Sequence, residues 1–213
     1  MVYILAFGDS AVYGAWDFEG SGWVQRLRHF AEKRIDKASG EINMVYNCGI
    51  GGHTTRDLLK HFEAECQARV MDATISKSVI AISLGVNDSA YVQSEKANWV
   101  PKEEFAKNLK KLFKISRKYT NSIFFISLQP IDDSKTNPFT GDKDLFYTNK
   151  NIKEYDEIAK LICKQEKIEF IDIYDRLKDS KRLTAEDGLH LNSKGHELIF
   201  ETVKDFLVKK KII

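Results

Sequence analysis

The stretch Val2–Ser10, with the sequence VYILAFGDS, decides the fold class, because an apolar strand-like run ends abruptly in small polar residues. Similar apolar runs recur along the chain, and segments with helical periodicity separate them. The five predicted strands are Val2–Phe7, Ile42–Tyr46, Ser78–Leu84, Ser122–Leu128 and Ile168–Ile173. Strands that alternate with helices pair in parallel, because each crossover returns the chain to the same end of the sheet. Since the strands are nearly all apolar, helices are expected on both faces. The sequence therefore predicts an α/β fold, a three-layer α/β/α sandwich around a five-stranded parallel sheet.

The helices between these strands carry recognisable start signals. Thr54, with Asp57 three residues later, has the pattern of a capping box at a helix N-terminus. Pro101 suits the first turn of a second helix, and Ser193 is the predicted cap of the last one. The longest stretch without a regular pattern runs from about Pro130 to Asn149. A stretch of this length is either a lid over a site or a plain surface loop.

The bulk composition limits the class of protein. A chain of 213 residues with 43% hydrophobic and 30% charged residues fits a single globular domain over residues 1–213. A formal net charge of +2 gives no electrostatic basis for binding nucleic acid. The first residues form an apolar run too short to span a bilayer, without a basic leader, so we expect a cytoplasmic protein with no integral membrane association. The sequence does not indicate an oligomeric state.

The cysteines favour a reducing environment. Cys48, Cys66 and Cys163 are odd in number and widely spaced. This pattern is typical of reduced, buried thiols rather than of a disulfide framework or a zinc site.

Polar segments that contain glycine follow several of the predicted strands. They are Gly8–Ser10, Asn47–Thr54, Gly85–Asp88 and, after the last strand and a connector, Asp187–His190. In a parallel sheet, ligands bind beyond the carboxyl ends of the strands. We therefore expect all of these segments to lie on one rim of the sheet.

Three residues on this rim suit acyl transfer by a serine. A serine hydroxyl is a poor nucleophile unless a base takes its proton and a third group orients that base. Ser10 is the candidate nucleophile, His190 the candidate base and Asp187 the candidate orienting carboxylate. Because Asp187 and His190 are three residues apart, one helical turn would place their side chains on the same face.

The same rim offers hydrogen-bond donors for an oxyanion. A backbone amide of the Gly51-Gly52 pair, the side chain of Asn87 and the amide of Ser10 are the predicted donors. Gly51 and Gly52 compete for this role, and Gly52 is preferred.

Other polar residues are predicted to be structural. Asp9 and Asp88 are expected to hold their loops by accepting backbone N–H bonds. His29, His61 and His196 fall within helical patterns, where a surface position or a satisfied hydrogen bond is expected.

Taken in order, the polar segments resemble the motifs of the SGNH (GDSL-type) esterases and lipases. The motifs of that family look like Gly-Asp-Ser, a loop glycine after the second strand, Gly-x-Asn-Asp and Asp-x-x-His. Here they read Gly8–Ser10, Gly52, Gly85–Asp88 and Asp187–His190. The resemblance covers residues 8 to 190, and the ordered set is far more specific than any single motif. His53 departs from it, since many relatives have an aspartate there.

The resemblance implies a flavodoxin-like SGNH hydrolase fold and hydrolysis of esters or thioesters, with no metal and no cofactor. It implies a triad of Ser10, Asp187 and His190, and an oxyanion hole of Ser10, Gly52 and Asn87. The expected partner is a small-molecule ester, with a short-chain acyl group or a lysophospholipid-type structure. Carbohydrate O-deacetylation is the alternative within the same fold.

A different class of function is a non-catalytic flavodoxin-like module that binds a nucleotide or a flavin. The sequence argues against it, because Thr54 stands where a third glycine would complete Gly-x-Gly-x-x-Gly, and no phosphate-binding Gly-x-x-x-x-Gly-Lys motif occurs. A catalytically silent relative is disfavoured because every motif is intact.

Several aromatic residues near these segments are candidates for lining an acyl or alcohol pocket, although loop aromatics also pack under loops. They are Tyr13, Trp16, Trp99, Phe139 and Tyr147.

Overall fold

A five-stranded parallel sheet forms the centre of the structure. This computed structural model describes residues 2–34, 40, 43–70 and 78–213. In chain order, the elements are β1 (Tyr3–Gly8), α1 (Ser10–Tyr13), α2 (Trp23–Glu32), β2 (Met44–Gly49), α3 (Thr55–Arg69), β3 (Ser78–Ser83), β4 (Tyr91–Val92), β5 (Ala97–Asn98), α4 (Lys102–Ser116), β6 (Ser122–Ile126), α5 (Asp133–Thr136), β7 (Leu145–Phe146), α6 (Asn149–Glu166), β8 (Glu169–Ile171), a 3₁₀ turn (Asp175–Leu177), α7 (Ser180–Leu183) and α8 (Ser193–Lys209). The strand order is β2-β1-β3-β6-β8, with every pair parallel.

Helices cover both faces of this sheet, which confirms the predicted three-layer α/β/α sandwich. Leu5 and Phe7 of β1 pack on one face with residues of α3, α4 and α6. Ile4 of the same strand packs on the other face with residues of α2 and α8. Successive side chains of a strand point to opposite faces, so a strand buried on both sides must be apolar throughout.

The second strand lies later in the sequence than predicted. It begins at Met44 and ends at Gly49, while Ile42 lies outside the described residues. Asn47 and Cys48, predicted to follow the strand, pair with residues of β1 instead. The rim segment after β2 is therefore shorter than the sequence suggested.

Three further strands of the large sheet, β3, β6 and β8, end earlier than predicted, and beyond β6 and β8 a side chain accepts the next backbone hydrogen bond. β3 ends at Ser83 and β6 at Ile126. The amide of Leu128 donates to Asp156 Oδ1 at 2.8 Å, and that of Ile173 donates to Ser127 Oγ at 2.8 Å. A side-chain oxygen thus accepts a hydrogen bond from each of these amides after the strand has ended.

The stretch from Pro130 to Asn149 is not irregular throughout. It contains α5 and β7, and β7 joins a small antiparallel sheet of order β5-β4-β7. Strands of two residues are too short to show a periodic pattern, so the sequence did not predict this sheet.

The helix starts are partly as predicted. Thr54 caps α3, and its amide donates to Asp57 Oδ2 at 3.1 Å in a capping box. Pro101 directly precedes α4 as its N-cap. The cap of α8 is Asn192 rather than Ser193, since Asn192 Oδ1 accepts from Gly195 N at 3.1 Å.

Two glycines allow backbone segments at the rim to approach one another closely. A Cβ added at Gly8 would lie 2.1 Å from the carbonyl oxygen of Ser83, and one at Gly49 would lie 2.2 Å from the amide nitrogen of Tyr13. The Asn47 side chain, on the same strand as Gly49, donates to the carbonyl of Val12 at 2.9 Å. These contacts place α1 directly beside the ends of β1 and β2, and the end of β1 directly beside that of β3.

A buried carboxylate ties the loop after β3 to α3. Asp88 is fully buried, and its Oδ1 accepts from Thr55 N at 3.0 Å and from Thr55 Oγ1 at 2.5 Å. Asn108 of α4 donates to the same hydroxyl at 3.0 Å. Burial raises the pKa of Asp88 to about 7, and the nearby charge of Asp9 acts in the same direction. The predicted loop-holding role of Asp88 is confirmed.

We predict that Gly49→Ala destabilises the protein by about 1–3 kcal/mol, because its Cβ would overlap the backbone of α1. Urea denaturation measures the loss. Gly51→Ala is the matched control, since a Cβ there meets no atom within 4 Å and stability should stay unchanged. Equal stability of the two variants would contradict the close approach of α1 and β2.

The raised pKa of Asp88 predicts a pH-dependent stability. A carboxyl whose folded pKa lies above its unfolded value stabilises the fold fully below the unfolded pKa, and this contribution is lost as pH rises through the folded pKa. Between about pH 5 and pH 7, wild type should lose up to about 1.4 kcal/mol per pH unit through this group. Asp88→Asn should show a shallower dependence in denaturation at several pH values. Identical slopes for wild type and variant would show that Asp88 ionises normally.

Candidate active site

Ser10 begins α1 at the carboxyl end of β1. The preceding residue, Asp9, is buried and accepts from the amide of Ala11 at 2.9 Å, which confirms its predicted loop-holding role. Burial raises the pKa of Asp9 to about 6, against the opposing effects of that hydrogen bond and of the His190 charge. Among the residues that the structure describes, none hydrogen-bonds the Ser10 hydroxyl.

Asp187 and His190 are in direct contact. His190 Nδ1 lies 2.5 Å from Asp187 Oδ2, and Asp187 Oδ1 accepts from the amides of Leu189 and His190, both at 3.0 Å. Burial opposes ionisation of Asp187, yet these hydrogen bonds hold its pKa below the ordinary value. An ionised Asp187 therefore accepts the Nδ1 proton of His190, which leaves the lone pair on Nε2.

The reason for this contact differs from the predicted one. Asp187 and His190 do not share a helical turn but lie on a loop, where the Asp187 carboxylate binds the amides that follow it. The ends of the loop are joined by a bridge between Thr184 and Leu191, and Ala185 N donates to the carbonyl of His190 at 2.8 Å. Local backbone hydrogen bonds fix the pair where a helix was expected.

Ser10 and His190 do not hydrogen-bond to each other in the described part of the chain. His190 nevertheless lies close enough to Asp9, the neighbour of Ser10, for a positive charge on its ring to lower the pKa of that carboxyl, although burial is the larger effect and raises it. Hydrogen bonds between a nucleophile and its base are often long until substrate binds. The structure therefore joins Asp187 to His190 and places Ser10 in the same region.

Asn87 is held from two sides. Its Nδ2 donates to the carbonyl of His53 at 2.9 Å, and its Oδ1 accepts from Tyr147 at 3.3 Å. A primary amide has two N–H groups, so one remains for another acceptor. The two hydrogen bonds fix the direction of this remaining N–H, and Asn87 is only 6% exposed. The Tyr147 contact spans sixty residues of sequence, and no local pattern could have revealed it.

Gly52 has a conformation that explains its residue type. Its φ is +76°, a value that favours glycine, whereas Gly51 has no positive φ. Both glycines are exposed, and within the described ranges neither amide donates to a backbone carbonyl. Both amides therefore remain candidate donors.

The histidines agree only partly with the expectation of a surface position or a satisfied hydrogen bond. His29 is exposed, as expected. His196 is fully buried and its Nε2 lies 3.2 Å from the carbonyl of Ala15, but its Nδ1 has no hydrogen-bond partner among the described residues. His61 Nε2 lies 3.4 Å from His53 Nδ1, and the buried Nδ1 of His61 is also unpartnered there. The His53–His61 contact fastens the Gly51-Gly52 loop to α3.

The candidate pocket aromatics separate into two groups. Tyr147 is buried, and Trp99 and Phe139 pack partly buried against the core. Tyr13 and Trp16 are exposed, and the Trp16 ring lies nearly parallel to the ring of His190, with centroids 6.3 Å apart. Among the candidate aromatics, Tyr13 and Trp16 are therefore the most exposed.

The described residues include no group of three or more His, Cys, Asp or Glu side chains placed to hold a metal ion. None of the helices in those ranges is both long and apolar enough to cross a membrane. The cysteines Cys48, Cys66 and Cys163 are free and buried.

Comparison with known proteins finds relatives along nearly the whole chain. The isoamyl acetate-hydrolyzing esterase 1 homolog of Homo sapiens is 25% identical over 218 residues, covering 97% of this chain and 82% of that protein. The uncharacterized lipoprotein YqeF of Bacillus subtilis (strain 168) is 24% identical over 233 residues, covering 95% of this chain and 88% of that protein.

Solved structures with the same fold include two ester hydrolases by name. The lipase/acylhydrolase from Enterococcus faecalis superposes with a TM-score of 0.74 at 21% identity, covering 99% of this chain and 97% of that one. Axe2, an acetylxylan esterase from Geobacillus stearothermophilus, gives 0.69 at 20% identity, with 99% and 94% covered. At these identities the likeness shows the fold.

A match to the model of one protein family shows which family this chain belongs to. The model of the GDSL-like lipase/acylhydrolase family matches residues 6–198, a range that contains Ser10, the Asn87 segment and the Asp187–His190 pair. The resemblance inferred from the four motifs is thereby confirmed. This chain belongs to the GDSL-like lipase/acylhydrolase family and is a carboxylic ester hydrolase.

Proposed function

We propose that the chain hydrolyses esters through an acyl-enzyme on Ser10, with His190 as general base and Asp187 as its orienting carboxylate. The observation that carries this proposal is the 2.5 Å contact between Asp187 and His190 Nδ1, which leaves Nε2 free to take a proton. In the first step Nε2 takes the Ser10 proton while Oγ attacks the ester carbonyl carbon. His190 then gives that proton to the departing alcohol.

The second half of the cycle regenerates the enzyme. His190 takes a proton from water, the resulting nucleophile attacks the acyl carbonyl, and the bond to Ser10 Oγ breaks as Oγ regains a proton from His190. Asp187 stabilises the imidazolium that forms in each half but is not itself protonated.

An oxyanion hole formed by Ser10, Gly52 and Asn87 completes the proposed site. The free N–H of Asn87 and the backbone amides of Ser10 and Gly52 would bind the oxygen that becomes negative during attack. Because Asn87 is held by His53 and Tyr147, its N–H is oriented before substrate arrives, which is what makes such donors effective.

The proposed substrates are small-molecule esters with a short acyl group. The name of the human relative, an isoamyl acetate-hydrolyzing esterase homolog, supports an acetate or a similar small acid. Thioesters, lysophospholipids and O-acetylated carbohydrates are the other classes to be assayed, by comparing acyl-CoA, lysophosphatidylcholine and acetylated sugars at equal concentrations.

A cytoplasmic location is proposed as well. The three buried, free cysteines support a reducing compartment, whereas the Bacillus subtilis relative is named a lipoprotein. Fractionation of cells that express the native gene, with detection by antibody, tests this location; recovery in the membrane fraction contradicts it.

We predict that Ser10→Ala lowers kcat for p-nitrophenyl acetate by at least about 10⁴-fold, because the acyl-enzyme can no longer form. The rate of p-nitrophenol release measures the loss, and unchanged circular dichroism shows that the fold is intact. Ser134→Ala, at an exposed serine on α5, is the control and should keep full activity. Retention of wild-type activity by Ser10→Ala would rule out Ser10 as the nucleophile.

We predict that Asn87→Ala lowers kcat by about 10²–10³-fold through loss of an oxyanion donor. Tyr147→Phe removes only the group that holds Asn87 Oδ1, so its loss should be smaller. Steady-state kinetics with p-nitrophenyl acetate give both values. A rise in KM without a fall in kcat would indicate that Asn87 binds the ground state instead.

A further inference from the structure

Exposed apolar side chains are concentrated on one part of the rim. Tyr13 is 63% exposed, Trp16 39% and Phe18 89%, and the rings of Trp16 and Phe18 meet edge to face with centroids 6.1 Å apart. Scattered exposed apolar residues are ordinary, but clustered ones often mark a binding surface. The segment Tyr13–Phe18, which carries these three rings, is the aromatic loop.

The backbone of the aromatic loop is held rigidly. Asp17 is buried, and its carboxylate accepts from the amides of Gly20 and Gly22, both at 2.9 Å, and pairs with Arg26 at 3.1 Å. Trp16 has a φ of +66°, an uncommon conformation for a large residue. Strained residues persist only where the surroundings fix them, so the outward direction of these rings is built into the fold.

The aromatic loop lies against the catalytic base. The planes of the Trp16 and His190 rings differ by 22°, with centroids 6.3 Å apart. A groove of about 250 Å³ is lined by Trp16 and Phe18, by Ala185 and by the polar residues Glu19, Glu186, Asn192 and Ser193. The groove therefore runs beside the loop that carries Asp187 and His190.

The position of His190 decides which half of an ester this surface meets. In the proposed mechanism His190 Nε2 donates a proton to the leaving alcohol, so the alcohol must lie next to the His190 ring. The acyl group stays on Ser10, and its oxygen faces Gly52 and Asn87. A surface that stacks against His190 is consequently on the alcohol side of the reacting carbon.

We propose that Trp16 and Phe18 form an apolar subsite for the alcohol half of the ester. The substrates are then esters of small acids with alkyl or aryl alcohols, rather than with charged or strongly hydrated ones. This inference rests on the proposed acyl-enzyme mechanism and extends it to the class of alcohol.

The test compares acetate esters that differ only in the alcohol. Methyl, propyl and pentyl acetate all form the same acetyl-enzyme, so differences in kcat/KM report the alcohol half alone. Burial of alkyl groups against the rings predicts that wild-type kcat/KM rises about 2–4-fold per added methylene. Trp16→Ala and Phe18→Ala should each flatten this rise, with the largest loss for pentyl acetate and the smallest for methyl acetate.

Three further variants test whether the effect comes from contact between the rings and the alcohol. Leu161→Ala removes a leucine side chain of α6 that is 54% exposed, and in this variant kcat/KM should still rise with alcohol length. Trp16→Phe keeps an apolar ring and should restore most of the rise. Because Phe18 is 89% exposed, Phe18→Ala keeps the test valid even if Trp16→Ala does not fold.

Three outcomes would overturn the proposal. The first is an unchanged rise of kcat/KM with alcohol length in both alanine variants. The second is an equal fall of kcat/KM for all the acetates in Trp16→Ala, which would make Trp16 a positioning residue for His190. The third is a Phe18→Ala variant that changes only the sedimentation coefficient, which would assign the rings to a contact with a second copy. Mass spectrometry of rapidly quenched reactions and the Ser10→Ala variant keep the two hypotheses distinct. Acetylated Ser10 in an enzyme whose kcat/KM does not depend on these rings overturns the subsite alone, whereas full turnover of the acetates by Ser10→Ala overturns the mechanism on which the subsite rests.

Discussion

The close approach of backbone segments at the ends of β1, β2 and β3 is the constraint on which the site depends. Gly8 lies against the carbonyl of Ser83 in β3, and Gly49 lies against the amide of Tyr13 at the end of α1. Neither position tolerates a Cβ without movement of backbone. The absence of two side chains therefore brings the start of α1, with Ser10, to the point where β1, β2 and β3 all end.

Buried carboxylates hold this arrangement together without taking part in the proposed chemistry. Asp9 caps α1, and Asp88 binds Thr55 at the start of α3. Each is buried, and each has a raised pKa with burial as the largest cause. Asp187, in contrast, is held ionised by its hydrogen bonds. The carboxylates of the rim thus divide into two that fix loops and one that orients an imidazole.

Sequence periodicity was sufficient for the large sheet, because a strand buried on both faces leaves an uninterrupted apolar run. The rim motifs followed from the rule that parallel strands end on one edge. Contacts with no local signal could not be predicted: Tyr147 reaches Asn87 across sixty residues, and β7 pairs with β4 through strands of two residues. For Asp187 and His190 the spacing correctly predicted that the side chains are close. They are brought together by a hydrogen-bonded loop, however, and not by a helical turn.

The proposed oxyanion donors and the aromatic loop would recognise the two halves of the ester by different kinds of interaction. Asn87 is fixed by hydrogen bonds to His53 and Tyr147, as a group must be if it is to recognise one atom with a developing charge. Trp16 and Phe18 offer ring faces on a backbone fixed through Asp17, and apolar contact is not directional. If the proposed mechanism and subsite hold, such a site would be strict about the carbonyl that it attacks and tolerant of the shape of the alcohol that it releases, and selectivity among alcohols would arise from their apolar area.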